Sequence, residues 1–204
     1  MNDIPDQAAL RAHMGAISLL AERKVLHALD RHCRAFIALS PFVVLASSDA
    51  EGRADASPRG DPLGFVQVLD DRTLLLPDRR GNNRIDSLRN ILADPRVGLL
   101  FLVPGVNETL RVSGTATIST DPALIARCSA HDKAPTTVLV VRIHSVFFQC
   151  ARALLRSRLW QADAQVPREA LPSTGTMLAA LSQNAIDGAA YDRELPERVR
   201  TTLY

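Results

Sequence analysis

Three clusters hold the residue types that bind charged or planar ligands. Ser57, Pro58, Arg59, Gly60 and Asp61 stand where a β-prone stretch is broken by proline and glycine, with an arginine inside the break. Glycine at such a point lets a ligand come close to the backbone. The same five residues also read as a β-bulge or wide turn with Arg59 in water, and taken alone that plainer reading leads. The second cluster is Pro77-Asp-Arg-Arg-Gly-Asn-Asn-Arg84, where a strand end runs through a loop into a helix start. Asparagine caps helices, and free backbone N–H groups beside arginines form an anion site suited to a phosphate. An ordinary capped helix with solvated arginines fits these residues as well, although arginine near a helix start opposes the macrodipole. The third cluster is Phe147-Phe148-Gln-Cys150, followed by Arg152, Arg156, Arg158 and Trp160. Aromatics can cover a planar ring while arginines hold its polar edges or a phosphate. Core aromatics followed by a basic helix account for Phe147 but less well for three arginines and a tryptophan.

Other chemistries have weaker support. The chain lacks G-x-S-x-G, G-x-G-x-x-G and G-x-x-x-x-G-K-[ST], and no pair of carboxylates is set in an apolar stretch. No catalytic residue is assigned. Cys33, Cys128 and Cys150 are odd in number and far apart, which fits neither a disulfide framework nor a C-x-x-C metal site, so three reduced and mostly buried thiols are expected. His27 and His32 are on different faces of a helix, and no structural metal is expected.

The elements that must position these clusters follow from periodicity. Val25, Leu26, Leu29, Cys33, Phe36 and Ile37 recur at helical spacing and predict one amphipathic helix over 22–39, stopped by Ser40-Pro41. Short β-rich stretches follow at 42–47, 54–57, 65–69 and 73–76, with turn residues between them, and their order reads as an antiparallel meander. A helix over 83–93 presents Ile85, Leu88, Ile91 and Leu92 and stops before Asp94-Pro95. Strands are expected at 97–103, 109–119 and 136–148, and a short helix from Asp121-Pro122 through Ser129. About six strands with three helices favour a mainly β, α+β fold, a closed or partly closed antiparallel barrel with helices across its ends. After Trp160 the chain turns polar, then carries an amphipathic stretch over 177–186 and a charged tail ending in Leu203-Tyr204.

The 204 residues are 47% hydrophobic and 23% charged, an ordinary globular composition suited to one domain with appendages. With 24 Lys+Arg against 22 Asp+Glu, the charge is too balanced for a general nucleic-acid binder. No apolar run approaches the length of a membrane span and the first residues lack the features of a secretory signal, so a cytoplasmic protein is expected, with no nucleic-acid or membrane partner.

The order strand, Ser57-Pro-Arg-Gly60, strand, strand, Gly81-Asn-Asn-Arg84, Asp94-Pro-Arg-Val-Gly-Leu-Leu-Phe101, then Leu110-Arg-Val-Ser-Gly114 resembles the pyridoxamine 5'-phosphate oxidase-like, FMN-binding split-barrel superfamily, over roughly residues 36–160. The resemblance implies a six-stranded antiparallel split barrel over 36–160, an N-terminal helical segment over 1–35 and a C-terminal appendage over 161–204. It implies FMN as the cofactor, with Ser57, Pro58, Arg59 and Gly60 along the flavin and Arg59 reaching the phosphate. Asn82, Asn83 and Arg84 would form the second phosphate arm. Leu76 and Pro77 match a strand end that contacts the flavin, and Glu108 and Thr109 fall where a polar side chain lies near the ring. Phe148 and Arg158 match groups that serve the flavin from the partner subunit, Arg158 at the pyrimidine edge, which implies a homodimer with shared flavin clefts. The implied activity is an FMN-dependent oxidoreductase acting on a small-molecule substrate or electron donor. Alternatives are a non-catalytic flavin- or haem-binding module and a deazaflavin-dependent reductase. Between Arg84 and Pro95 the chain has about one helical turn more than the oxidase pattern. It also has Leu154 and Arg156 where the oxidase carries an arginine and a histidine for its substrate, so a substrate other than pyridoxamine phosphate is expected.

Overall fold

A computed structural model describes residues 3–203. Seven strands form one antiparallel sheet in the order β2-β1-β5-β6-β7-β4-β3: β1 Phe42–Ser48, β2 Ala54–Gly60, β3 Gln67–Asp70, β4 Thr73–Asp78, β5 Arg96–Leu102, β6 Thr109–Ser119 and β7 Thr137–Gln149. The α+β class is as the sequence predicts, and each of the seven β-prone stretches becomes a strand, one more than the six-stranded barrel expected. The expected meander of the first four strands is also revised. β1 and β2 form a hairpin and so do β3 and β4, yet the two hairpins are at opposite edges of the sheet, β1 pairing with β5 and β4 with β7. Between them Phe65 and Val66 are buried, so the connection crosses the core instead of turning back beside β2.

Local chemistry explains the pieces. The first hairpin turns on Asp49, whose Oδ1 accepts from the N–H groups of Glu51 (3.0 Å) and Arg53 (2.9 Å). Alternation in β1 and β5 sends Val43, Leu45, Val97, Leu99 and Phe101 into the core. In β4 five successive residues are buried because both faces are covered. Leu74 and Leu76 join the main core, and Leu75 packs with Cys128 and Val138 in a second cluster. The ladder between β6 and β7 shifts at Ser113/Gly114, where a Cβ on Gly114 would overlap the carbonyl of Arg142.

The helices depart further from expectation. Instead of one helix over 22–39 there are α2 Leu19–Arg23 and α3 Arg31–Leu39, preceded by α1 Gln7–Met14. The break has a tertiary cause. Leu26 exchanges both backbone hydrogen bonds with Val146 (2.9 and 2.8 Å), and the Asp30 carboxylate restarts the helix by accepting from the N–H groups of His32 and Cys33. Cys33 and Ile37 of α3 are then buried. α4 Asp86–Ala93 starts three residues later than expected and buries Ser87 and Ile91, while Ile85 and Leu92 are exposed. α5 Pro122–Arg127 is capped by Asp121 with proline in the first turn, and α6 Arg152–Ser157 follows β7.

The charged tail is itself a helix, α8 Gly188–Thr202, paired with α7 Thr174–Leu181; Tyr204 lies outside the described residues. The Asp192 carboxylate joins the two, accepting from Ser173 Oγ (2.5 Å) and from the N–H of Gly175 (2.8 Å). Cys33 and Cys128 are buried as expected, but Cys150 is exposed. Among the described residues no helix is long and apolar enough to cross a membrane.

Candidate functional site

A cleft of about 1140 Å³ opens where β2, the end of β4, the start of β7 and the start of α4 converge, with Leu203 at its rim. β2 is an edge strand, which is why it tolerates Pro58 opposite Val44. Its period of two places Asp55, Ser57 and Arg59 on the less exposed face.

One polar corner of the cleft is built from three strand ends. Arg59 Nη1 donates to Asp78 Oδ1 at 2.5 Å, with both side chains about four-fifths buried. Thr137 lies directly across the ladder from Asp78. Arg59 Nε and Thr137 Oγ1 are buried without a hydrogen-bond partner, the two such side-chain atoms among the described residues, and both belong to the lining of this cleft. A buried polar group left unsatisfied costs roughly 1–3 kcal/mol, so each of the two atoms is hydrogen-bonding capacity that the chain itself leaves unused. Below this corner, Arg79 Nε donates to Asp61 Oδ2 at 2.6 Å and Nη2 donates to the carbonyl of Cys128 at 2.8 Å. The Asp61 side chain is only 1% exposed, and the pair ties the exits of β2 and β4 to the end of α5.

The loop between β4 and α4 forms the opposite wall. Its expected asparagine cap does not form. Ile85 occupies the N-cap position with no side-chain hydrogen bond, because Asn82 Oδ1 is used within the loop, accepting from the N–H of Arg84 at 3.1 Å. Asn83 and Ile85 have positive φ (58° and 55°). Asparagine tolerates that region, whereas a β-branched residue there is strained, and such strain clusters at ligand sites. The Arg84 guanidinium is 72% exposed and turned to Asp86, with Nε donating to Oδ2 at 2.7 Å; this contact raises its pKa.

The expected site residues therefore divide into two groups. Ser57, Pro58, Arg59, Gly60, Pro77, Asn82, Asn83 and Arg84 line the cleft. The side chain of Leu76, one residue before Pro77, is buried in the main core. Glu108, Thr109, Phe148 and Arg158 are elsewhere. Thr109 pairs with Gln149, so it and Phe148 are at the far end of β7 from Thr137, about 35 Å away at the rise of a strand. There Phe148 packs edge-on against Phe36 with ring centroids 5.5 Å apart. Glu108 is exposed, and Arg158 caps α6, donating to Gln161 Oε1 at 2.8 Å and pairing with Asp163. Along β7 the two groups are therefore at opposite ends. Asp78 and Thr137 were not among the expected residues. An acid between Pro77 and the arginines was a usable signal for the first, and nothing local marks the second.

Residues 29–150 match the family model for pyridoxamine 5'-phosphate oxidase. No curated protein matches the chain. Among solved structures, the chain is similar to HupZ of Group A Streptococcus (20% identity over 59% of this chain and 93% of that one, TM-score 0.48). It is also similar to a putative pyridoxamine 5'-phosphate oxidase from Lactobacillus delbrueckii (23% identity, 60% and 95%, TM-score 0.45). A third is an FMN-binding protein from Syntrophomonas wolfei (15% identity, 57% and 83%, TM-score 0.46).

Proposed function

Because the chain belongs to the pyridoxamine 5'-phosphate oxidase family, we propose that it is an FMN-binding flavoprotein, working as an FMN-dependent oxidoreductase on a substrate other than pyridoxamine phosphate. The observation that carries this reading is the pair of orphaned atoms, Arg59 Nε and Thr137 Oγ1, in the cleft lined by the Ser57 to Gly60 strand and the Asn82 to Arg84 loop. A ligand rich in oxygen atoms, as FMN is in its ribityl chain and phosphate, suits that corner. When bound, FMN supplies a ring able to accept and return electrons.

The chain supplies binding and orientation. Arg59 and Thr137 hold a ligand oxygen, Asp78 holds the Arg59 guanidinium in place, and Pro77 and the edge of β2 form apolar and backbone walls. Glu108, Thr109, Phe148 and Arg158 serve the ring from a second copy in a symmetric homodimer, which is how residues at opposite ends of β7 come to share a cofactor. Leucine at 154 cannot pair with a phosphate or hydroxyl, and a site lacking such a partner rejects the substrate that needs it.

The absorbance spectrum of the purified chain, before and after added FMN, tests this. Bands near ~450 and ~370 nm, which belong to the bound flavin, are expected. A colourless protein that refuses FMN overturns the reading, and a haem or deazaflavin spectrum replaces it with one of those alternatives. Anaerobic mixing of the loaded protein with pyridoxamine phosphate, NADH and NADPH then separates an oxidoreductase from a carrier, and rapid bleaching by pyridoxamine phosphate contradicts the substrate assignment.

A further inference from the structure

Past residue 150, where the family match ends, the chain adds the α7–α8 pair, and Leu203 at the end of α8 stands on the rim of the cleft. Pro196 divides α8 in two, because it has no N–H to give to the preceding turn. The half before it is clamped to α7. Asp192 holds Ser173 and Gly175, and the two backbones come so close that a Cβ on Gly175 would stand 2.0 Å from the Gly188 carbonyl oxygen. The half after it pairs its charges along its own helix, Arg200 with Glu197 at 2.6 Å and Arg198 with Glu194 at 3.0 Å. Its apolar side chains fall at Leu195, Val199 and Leu203, a spacing of i, i+4 and i+8 that stacks them on one face. We propose that the last two turns of α8 are a lid on the cleft, hinged at Pro196, which lays this stripe over the mouth and retains the bound ligand.

Exposure rises along the stripe toward the cleft. Leu195 is half-buried, Val199 is 48% exposed and Leu203 is 62% exposed. What the stripe covers follows from where it ends. Leu203 already belongs to the cleft lining, and Ile85, 50% exposed, is the other exposed large apolar side chain of that lining. Closing the mouth brings the two toward each other and takes apolar surface out of water, which favours the closed position. The movement disturbs little of the core. Residues 161–172, which lead from the barrel to the hairpin, are exposed throughout, and α7 and α8 pack on each other more than on any strand. The clamp on α7 then gives the moving turns a fixed base. A lid of this kind slows the escape of a ligand whatever the polar contacts that hold it. The inference rests on the cleft being the ligand site, as proposed above.

The test measures ligand release and needs no turnover. Loss of bound FMN is timed for the wild type, Leu203→Asp, Leu203→Ala and Leu181→Asp, with circular dichroism confirming that each is folded. Leu181, exposed at the end of α7 and outside the stripe, is the control. Leu203→Asp should speed release at least about fivefold and Leu203→Ala by less, while Leu181→Asp should match the wild type. Release from Leu203→Asp at the wild-type rate, or the same acceleration in Leu181→Asp, overturns the lid while the flavin reading stands. If the wild type binds no FMN, the flavin reading fails and the lid is judged without ligand, by hydrogen exchange at the amides of residues 197–203 in the wild type and in Ile85→Asp. Faster exchange in the variant supports contact between the stripe and the rim, and equal exchange overturns it.

Discussion

At the Thr137 end of β7, three strand ends bring buried charges together and leave two polar atoms without partners, next to a loop strained at Ile85. At the Phe148 end the same strand meets Phe36 edge-on, Thr109 is buried, and Trp160 Nε1 donates to the carbonyl of Val106 at 2.8 Å. The first end holds its shape through ion pairs and has unmet hydrogen-bonding capacity. The second is held by apolar packing and satisfied hydrogen bonds. A small ligand is therefore expected at the first end of each chain, and on the flavin reading proposed above the second end serves it from another copy.

The sharpest way to break this comparison is to remove the strut under the cleft. Asp61→Ala leaves Arg79 largely buried without its carboxylate, and a loss of about 3 kcal/mol is expected in urea unfolding. A midpoint unchanged from the wild type would show that the cleft end does not depend on its ion pairs. Phe148→Ala, at the other end, removes a half-buried ring and its contact with Phe36, for an expected loss of about 2 kcal/mol. The same variant bears on assembly. Sedimentation of the wild type should show a dimer, and a monomer that keeps FMN at micromolar concentration would rule out a shared cleft.

The apolar end also predicts a response to alkali. Burial pushes the Cys33 thiol up to about 11, whereas in the unfolded chain it ionises near 9.0. The unfolded state thus gives up its proton first, so stability is intact below pH 9 and falls by about 2 kcal/mol as pH rises to 11. Cys128, also raised by burial, adds in the same direction. Melting temperatures of the wild type and Cys33→Ala across that range should converge as pH rises, and parallel curves would refute the assignment. The smallest effect expected is a gain. Thr137→Val keeps the shape and removes an unpartnered hydroxyl, so stability should rise by about 1 kcal/mol while flavin affinity falls. A variant that is less stable and binds flavin normally would mean that Thr137 is satisfied within the protein.

Much of the fold was legible in the chain. The alternation of Leu110, Val112, Gly114 and Ala116 places β6, and Asp121-Pro122 places α5. The cleft-lining segments stood out because proline, glycine, asparagine and arginine are unusual beside strand ends. Where expectation failed, a distant partner intervened. The apolar pattern over 22–39 is helical throughout, but pairing of Leu26 with Val146 across the fold outcompeted it. Asn83 looked like a cap, yet Asn82 bonded within its own loop and Ile85 took the position.

What the sequence by itself determined is what depends on near neighbours: strand and helix periodicity, turns, caps, the class of the fold and the residue types available for an anion. Only the tertiary structure decided which arginines pair with which aspartates. The pairing of Arg59 with Asp78 and of Arg79 with Asp61 requires β2 and β4, in different hairpins at opposite sides of the sheet order, to end at the same place. Ion pairing falls off with distance through space and is indifferent to separation along the chain, so no local pattern could have named these pairs.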